Sequence, residues 1–144
     1  MNKDNQILSA LHHAVDCRDA AGVELALNQA FDAGLTPDLV PILVEVLGMA
    51  WHTRHEDVVR ALQKLRPSQA VQGLREAAVV AHEYLNYDEF FGLARKCTWA
   101  LADIGTPEAK AALYELAGVQ NEIIAGYAQK RLDKWDQELD RKGV

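Results

Sequence analysis

Leu93-Ala94-Arg95-Lys96-Cys97-Thr98-Trp99-Ala100-Leu101-Ala102-Asp103-Ile104-Gly105-Thr106-Pro107-Glu108-Ala109 decides the architecture. Phe90, Phe91, Ala94, Cys97, Thr98, Leu101 and Ile104 recur at helical spacing and give one helix an apolar face. The helix ends at Gly105. Thr106-Pro107-Glu108 then opens a second helix. Thr supplies the N-cap oxygen, Pro has no N–H to leave unpaired, and Glu meets the positive end of the helix dipole. The second helix runs to Gly118. The unit is therefore a helix, a tight turn and a second helix.

A shift of 39 residues lays this unit on an earlier one. Ala61-Leu62 falls on Ala100-Leu101, Leu65 on Ile104, Ala70 on Ala109 and Leu74 on Leu113, while Pro67 and Pro107 agree to within one position. A period near 40 residues is that of helical-hairpin solenoids. One helix pair cannot bury both of its faces, so it stacks on a neighbour. Small residues at Ala61, Ala70, Ala100 and Ala109 allow close approach beside the turn. An irregular helical bundle is the competing reading, because alanines and leucines coincide easily in an Ala-rich chain.

Working outward, the same periodicity predicts a first helix behind Asp4 carrying Ile7, Leu8, Leu11, Ala14 and Val15. A second carries Val23 to Phe31 and stops at Gly34. A third runs from Thr36-Pro37 to about His52. A fourth starts at His55-Glu56-Asp57 with acid in its first turn. A fifth spans about Pro67 to Leu85. A last begins near Asn121 and holds Ile123, Ile124, Tyr127, Ala128, Leu132, Trp135 and Leu139. No segment alternates with period two, so no sheet is expected. The expected fold is all-α: a solenoid of stacked antiparallel helix pairs, about seven or eight helices. It forms a single domain over 1–144, less regular over 1–53 and repeat-like over 54–140.

Bulk properties narrow the function. The chain has 144 residues, enough for one domain with a real core, and 49% of them are apolar. Its formal net charge of −6 repels phosphate backbones and attracts basic proteins. Direct nucleic-acid binding is therefore not expected, and a basic protein partner is. The polar start Met1-Asn2-Lys3-Asp4-Asn5 has no apolar signal region behind it, and no apolar run reaches the length of a membrane span. The expectation is a cytoplasmic protein without a membrane partner. Cys17 and Cys97 lie far apart with no CxxC, and both read as buried free thiols.

The stretch 93–109 resembles a HEAT repeat: an Arg, then Ala-Leu, then Ile-Gly, then a second helix opening with Ala. Ile123 to Trp135 resembles the first helix of a further, incomplete repeat. The likeness is fair over Asp57 to Ala78 and poor before that. The chain as a whole resembles the helical immunity proteins of bacterial polymorphic-toxin and contact-dependent inhibition systems. The features that carry this are a short N-terminal helical hairpin, Trp51-His52-Thr53-Arg54-His55-Glu56-Asp57-Val58-Val59, Tyr84-Leu85, and Arg95 to Ile104. The resemblance implies a protein that binds one cognate toxin domain, often a nuclease, and blocks it without chemistry. Toxin-contacting residues vary among such proteins, so the resemblance supplies no contact residues.

Candidate contacts come from the residues themselves. Tyr84, Tyr87, Phe90 and Phe91 are interleaved with Glu83, Asp88 and Glu89 around a turn. That mixture reads either as the anchors and rim of an interface or as satellite core with capping acids. Trp51, His52, His55, Glu56 and Asp57 flank another helix junction. The partner-binding set expected from sequence is therefore Trp51, His52, His55, Glu56, Asp57, Tyr84, Tyr87, Asp88 and Glu89. Trp99 reads as core. No catalytic residue, metal or cofactor is expected. His55-Glu56 and His82-Glu83 lack zinc-protease spacing. HEAT-like di-iron hydroxylases use more such pairs, symmetrically placed. Ser9 and Ser68 are the only serines, and Ser68 stands where a helix start needs a hydroxyl. A HEAT-type adaptor without a toxin and a His-Glu metal enzyme remain the alternatives.

Overall fold

The computed structural model describes residues 3–141. Among them are nine α-helices and no strand: α1 (Lys3–Asp16), α2 (Ala20–Ala33), α3 (Val40–Leu47), α4 (His55–Leu65), α5 (Val71–Ala77), α6 (Gly92–Ile104), α7 (Pro107–Ala117), α8 (Glu122–Asp133) and α9 (Trp135–Arg141). Short 3₁₀ turns at Pro37–Leu39 and Ser68–Ala70 lead into α3 and α5. None of these helices is long and apolar enough to cross a membrane.

Alternate helices form two layers. α2, α4, α6 and α8 pack in sequence along one layer, and α1, α3, α5 and α7 along the other. Across the layers α1 pairs with α2, α3 with α4, α5 with α6 and α7 with α8. This is a HEAT-like all-α solenoid. The repeat alignment explains its core. Ala61, Leu62, Ala70 and Leu74 and their counterparts Ala100, Leu101, Ala109 and Leu113 all lie at 0% exposure. α6 lies between α4 and α8 and also meets α5 and α7. It therefore buries most of its circumference, including Thr98, whose hydroxyl donates to Arg95 O at 2.7 Å.

The turns of the two units match as well. Arg66 and Gly105 are equivalent, and each closes its helix in the left-handed region, with φ of 53° and 72°. Each donates its N–H to the corresponding leucine carbonyl, Leu62 O or Leu101 O. At Thr106 the hydroxyl accepts from Ala109 N at 3.1 Å, as its sequence position predicts. Asn121 caps α8 in the same way.

Several boundaries differ from the sequence reading. α3 stops at Leu47, not near His52, because the chain turns at Gly48 and folds back until the His52 ring bonds Val46 O. α5 stops at Ala77, not at Leu85. Val79 and Val80 find no core to pack on and are each 51% exposed. α6 starts at Gly92: Phe91 takes a left-handed φ of 54°, so Phe90 and Phe91 leave the helical stripe and are exposed. The final helix divides at Lys134.

Only Cys97 is buried. Cys17 follows α1 and is exposed, correcting the expectation of two buried thiols. Burial pushes the Cys97 thiol up to about 12. Trp99 is half-buried rather than fully enclosed. Its ring is covered by the Arg131 guanidinium, 3.6 Å from the ring centroid. Arg131 also bonds Glu138 at 2.5 Å, and both are buried.

Arg66 is exposed, so its side chain can be removed without loss of packing. Arg66→Gly is expected to stabilise the fold by about 0.5–1 kcal/mol, the relief of left-handed strain exceeding the added freedom of the unfolded chain. Leu101→Ala is expected to cost about 2–5 kcal/mol by opening a core cavity. Urea unfolding midpoints check both.

Candidate functional site

The two units differ most in the connection after their second helix. α7 connects to α8 through residues 118–121, whereas α5 connects to α6 through residues 78–91. A connection this long is uncommon in a compact domain unless it has a function of its own. Here it contains only one 3₁₀ turn, Glu83–Leu85.

Its first half is fixed by a stack of imidazoles. His52 comes from the α3–α4 connection, His55 is the first residue of α4, and His82 lies in the long loop. The His52 and His55 centroids are 4.0 Å apart, and those of His55 and His82 3.7 Å, with nearly parallel planes. Hydrogen bonds define the protonation of two of them. His52 Nε2 lies 2.7 Å from Val46 O, and a carbonyl can only accept, so Nε2 carries the proton. Its Nδ1 accepts from Arg54 N at 3.0 Å. His55 Nε2 likewise donates to Met49 O at 2.6 Å. His55 Nδ1 then accepts from the Tyr84 hydroxyl at 2.6 Å, and that oxygen accepts from His55 N at 3.2 Å. Both nitrogens of His52 and of His55 are thus engaged with protein groups in the neutral form.

Burial opposes charge on all three rings. His55 is lowered to about 4 by desolvation, with repulsion from His52 and His82 adding to it. His52 is lowered by burial, partly offset by its bond to Val46 O. His82 is lowered by burial. Burial also pushes the Tyr84 hydroxyl up, so it remains a donor.

The second half of the loop is fixed by Asp88. Its carboxylate accepts from Phe90 N at 2.9 Å and Gly92 N at 2.8 Å, capping the start of α6. Gly92 has no room for a side chain, since a Cβ there would lie 2.6 Å from Asp88 Oδ2. From α8, the Tyr127 hydroxyl donates to Phe90 O at 2.6 Å.

Pinned at these points, the loop turns its apolar side chains outward. Val79, Val80, Tyr87, Phe90 and Phe91 are exposed, and the other large exposed apolar side chains of the described residues are Leu25, Tyr114 and Ile123. An apolar groove of about 870 Å³ lies between the loop, the start of α6 and the α7–α8 turn.

The structure thus sorts the residues singled out from sequence. His52 and His55 are at 1% and 0% exposure, so they act as internal struts and do not offer their rings to a partner. Trp51 is half-buried, its ring edge-on to His52. Tyr84 is half-buried and committed to His55. Glu56 pairs with Lys96 at 3.1 Å, and Asp57 with Arg54 at 3.5 Å and Arg60 at 3.7 Å. Asp88 caps α6. Tyr87 and Glu89 are exposed, and among the described residues Glu89 has no hydrogen bond or ion pair. The sequence pattern does not reveal Val79, Val80 or the groove, because an unbroken helix from Pro67 to Leu85 would hide them. Among the described residues no group of three or more His, Cys, Asp or Glu could hold a metal ion.

Residues 93–118 match the family described as PBS lyase HEAT-like repeat. The matched segment is α6, its turn and α7, the unit on which the stack is built. No curated protein and no solved structure matches the chain.

The histidine network carries a pH dependence. An unfolded histidine titrates near 6.5, whereas His55 in the fold titrates at about 4. Between these values the unfolded chain binds more protons, so the stabilisation is complete above pH 6.5 and is lost as pH falls toward about 4. Urea midpoints are expected to fall across this interval. Tyr84→Phe leaves His55 Nδ1 and N–H unpaired in a buried place, a cost of about 1–3 kcal/mol at neutral pH. The same measurements at neutral and acid pH check it.

Proposed function

We propose that this chain is a protein-binding module that neutralises a cognate toxin domain, most fittingly a basic nuclease, by covering its active site or substrate groove. The HEAT-like stack supports the broader part, a helical repeat protein for protein interaction. The observation that carries the binding face is the concentration of exposed apolar side chains on residues 78–91, beside the unpaired carboxylate of Glu89. Aromatic anchors with a charged rim are what a protein interface requires. The finer reading draws on the resemblance to bacterial immunity proteins and on the net charge of −6, which steers a basic partner toward the chain.

In this reading the acids divide the work. Asp88 fixes the loop, Glu56 and Asp57 satisfy neighbouring cations, and Glu89 is left to meet a partner. No bond is made or broken in this function. A HEAT-type adaptor would use the same face toward another protein.

The test uses the protein encoded by the adjacent upstream gene. Its toxin domain is expected to bind this chain stoichiometrically and to lose activity in the complex. Glu89→Lys should slow association, most visibly at low salt, and weaken binding about tenfold, or roughly 1.4 kcal/mol. Phe90→Ala should cost about 1–2 kcal/mol, chiefly through faster dissociation. Both are read by surface-based binding kinetics. Unchanged kinetics in both variants would remove this face from the interface.

A further inference from the structure

The groove beside the loop has a chemistry of its own. Leu85, Phe91, Val119 and Ile124 contribute apolar walls, and Asp88 and Glu89 contribute carboxylates. No lysine or arginine lines it. The sequence has none from Glu76 to Ala94, nor from Gly118 to Ile124. Helix dipoles do not set its sign. α5 and α7 end at the groove while α6 and α8 begin there, so negative and positive termini offset one another. The carboxylates decide. Asp88 accepts from two backbone N–H groups, and among the described residues Glu89 has no ion-pair partner. At about 870 Å³ the space is large enough for several side chains.

We infer that this groove receives a basic segment of the partner protein, apolar side chains entering between Phe91, Val119 and Ile124 while an adjacent lysine or arginine meets Glu89 and Asp88. The inference rests on residues 78–91 being the interaction face and adds the chemistry of what they hold. An apolar side chain alone would fill the walls but leave the carboxylates unmatched. An acidic segment would be repelled. A segment with both features satisfies the site. Basic residues that line a nuclease's substrate site are of this kind, so filling the groove would also withdraw them from their own substrate.

The experiment titrates the isotopically labelled full chain with two synthetic peptides sharing the same leucines and phenylalanines, one carrying lysines and arginines, the other glutamates. The cationic peptide is expected to shift amide resonances within 78–94 and 118–124, and its affinity to fall as salt rises. The acidic peptide is expected to leave them in place. Ala81→Trp, at an exposed position of the groove wall, should weaken the cationic peptide at least about tenfold with an unchanged melting temperature. If that variant folds poorly, Val119→Lys provides the same test by adding a repelling charge at a half-exposed position. The inference is overturned by no shifts, by shifts confined to other surfaces, by an equal response to the acidic peptide, or by undiminished binding in the folded groove variants. Shifts of the same residues on raising protein concentration alone would assign the groove to a second copy of this chain and overturn it too. Phe90 lies outside the groove lining, so the effect of Phe90→Ala in the cognate complex decides the interaction reading separately.

Discussion

Everything in this protein depends on the burial of one repeating register between neighbouring helix pairs. Leu62 and Leu101 in one layer, and Leu74 and Leu113 in the other, are removed from water completely. Each such side chain contributes about 1.5–3 kcal/mol by burial. Alanines at Ala61, Ala70, Ala100 and Ala109 make that burial possible by letting the helices approach. No single pair could achieve it alone, since the second face of each pair needs the next one. The stack also explains why α6 carries so few polar groups toward its neighbours and why Thr98 turns its hydroxyl back onto its own helix.

The long loop at 78–91 breaks this regularity and is stabilised by other means. It buries little apolar area of its own, since Val79, Val80, Tyr87, Phe90 and Phe91 face outward. Three polar anchors compensate: Tyr84 with the stacked histidines, Asp88 on the start of α6, and the Tyr127 hydroxyl on Phe90 O. Each satisfies backbone or ring atoms, so hydrogen bonds position the loop together with the packing of Ala78 and Leu85 on the core. Such an arrangement holds apolar side chains in water without letting them collapse into the core. It also places His82 and Tyr84, which meet His55, on the same segment as the exposed apolar side chains, so acid that strains the network strains that surface.

The two halves of this arrangement divide the acidic residues by task. Those that saturate nearby donors, Asp88 among them, give the surface its shape. Glu89, which saturates none, gives it a sign. A net charge of −6 spread over the whole chain could not specify a face. Glu89 instead places one carboxylate beside an apolar groove.

The helices and their pairing were legible in the amino-acid order, because both carry local signals. Thr106 caps the helix its position predicts, the last helix starts beside Asn121 as expected, Gly34 takes the positive φ expected of a helix-ending glycine, and the residues paired by the 39-residue shift are buried together. Apolar periodicity and cap chemistry act within a few residues and are legible in one dimension. Where α5 stops is set by long-range packing: residues 78–85 read as a continuing helix, yet α5 ends at Ala77 and Val79 and Val80 face solvent. Only the tertiary structure showed that His52 and His55 face inward, since their partners are Val46 O, Met49 O and the hydroxyl of Tyr84, and the last lies 29 positions away. The groove was likewise invisible, being formed by residues from separate connections that meet only when the pairs stack.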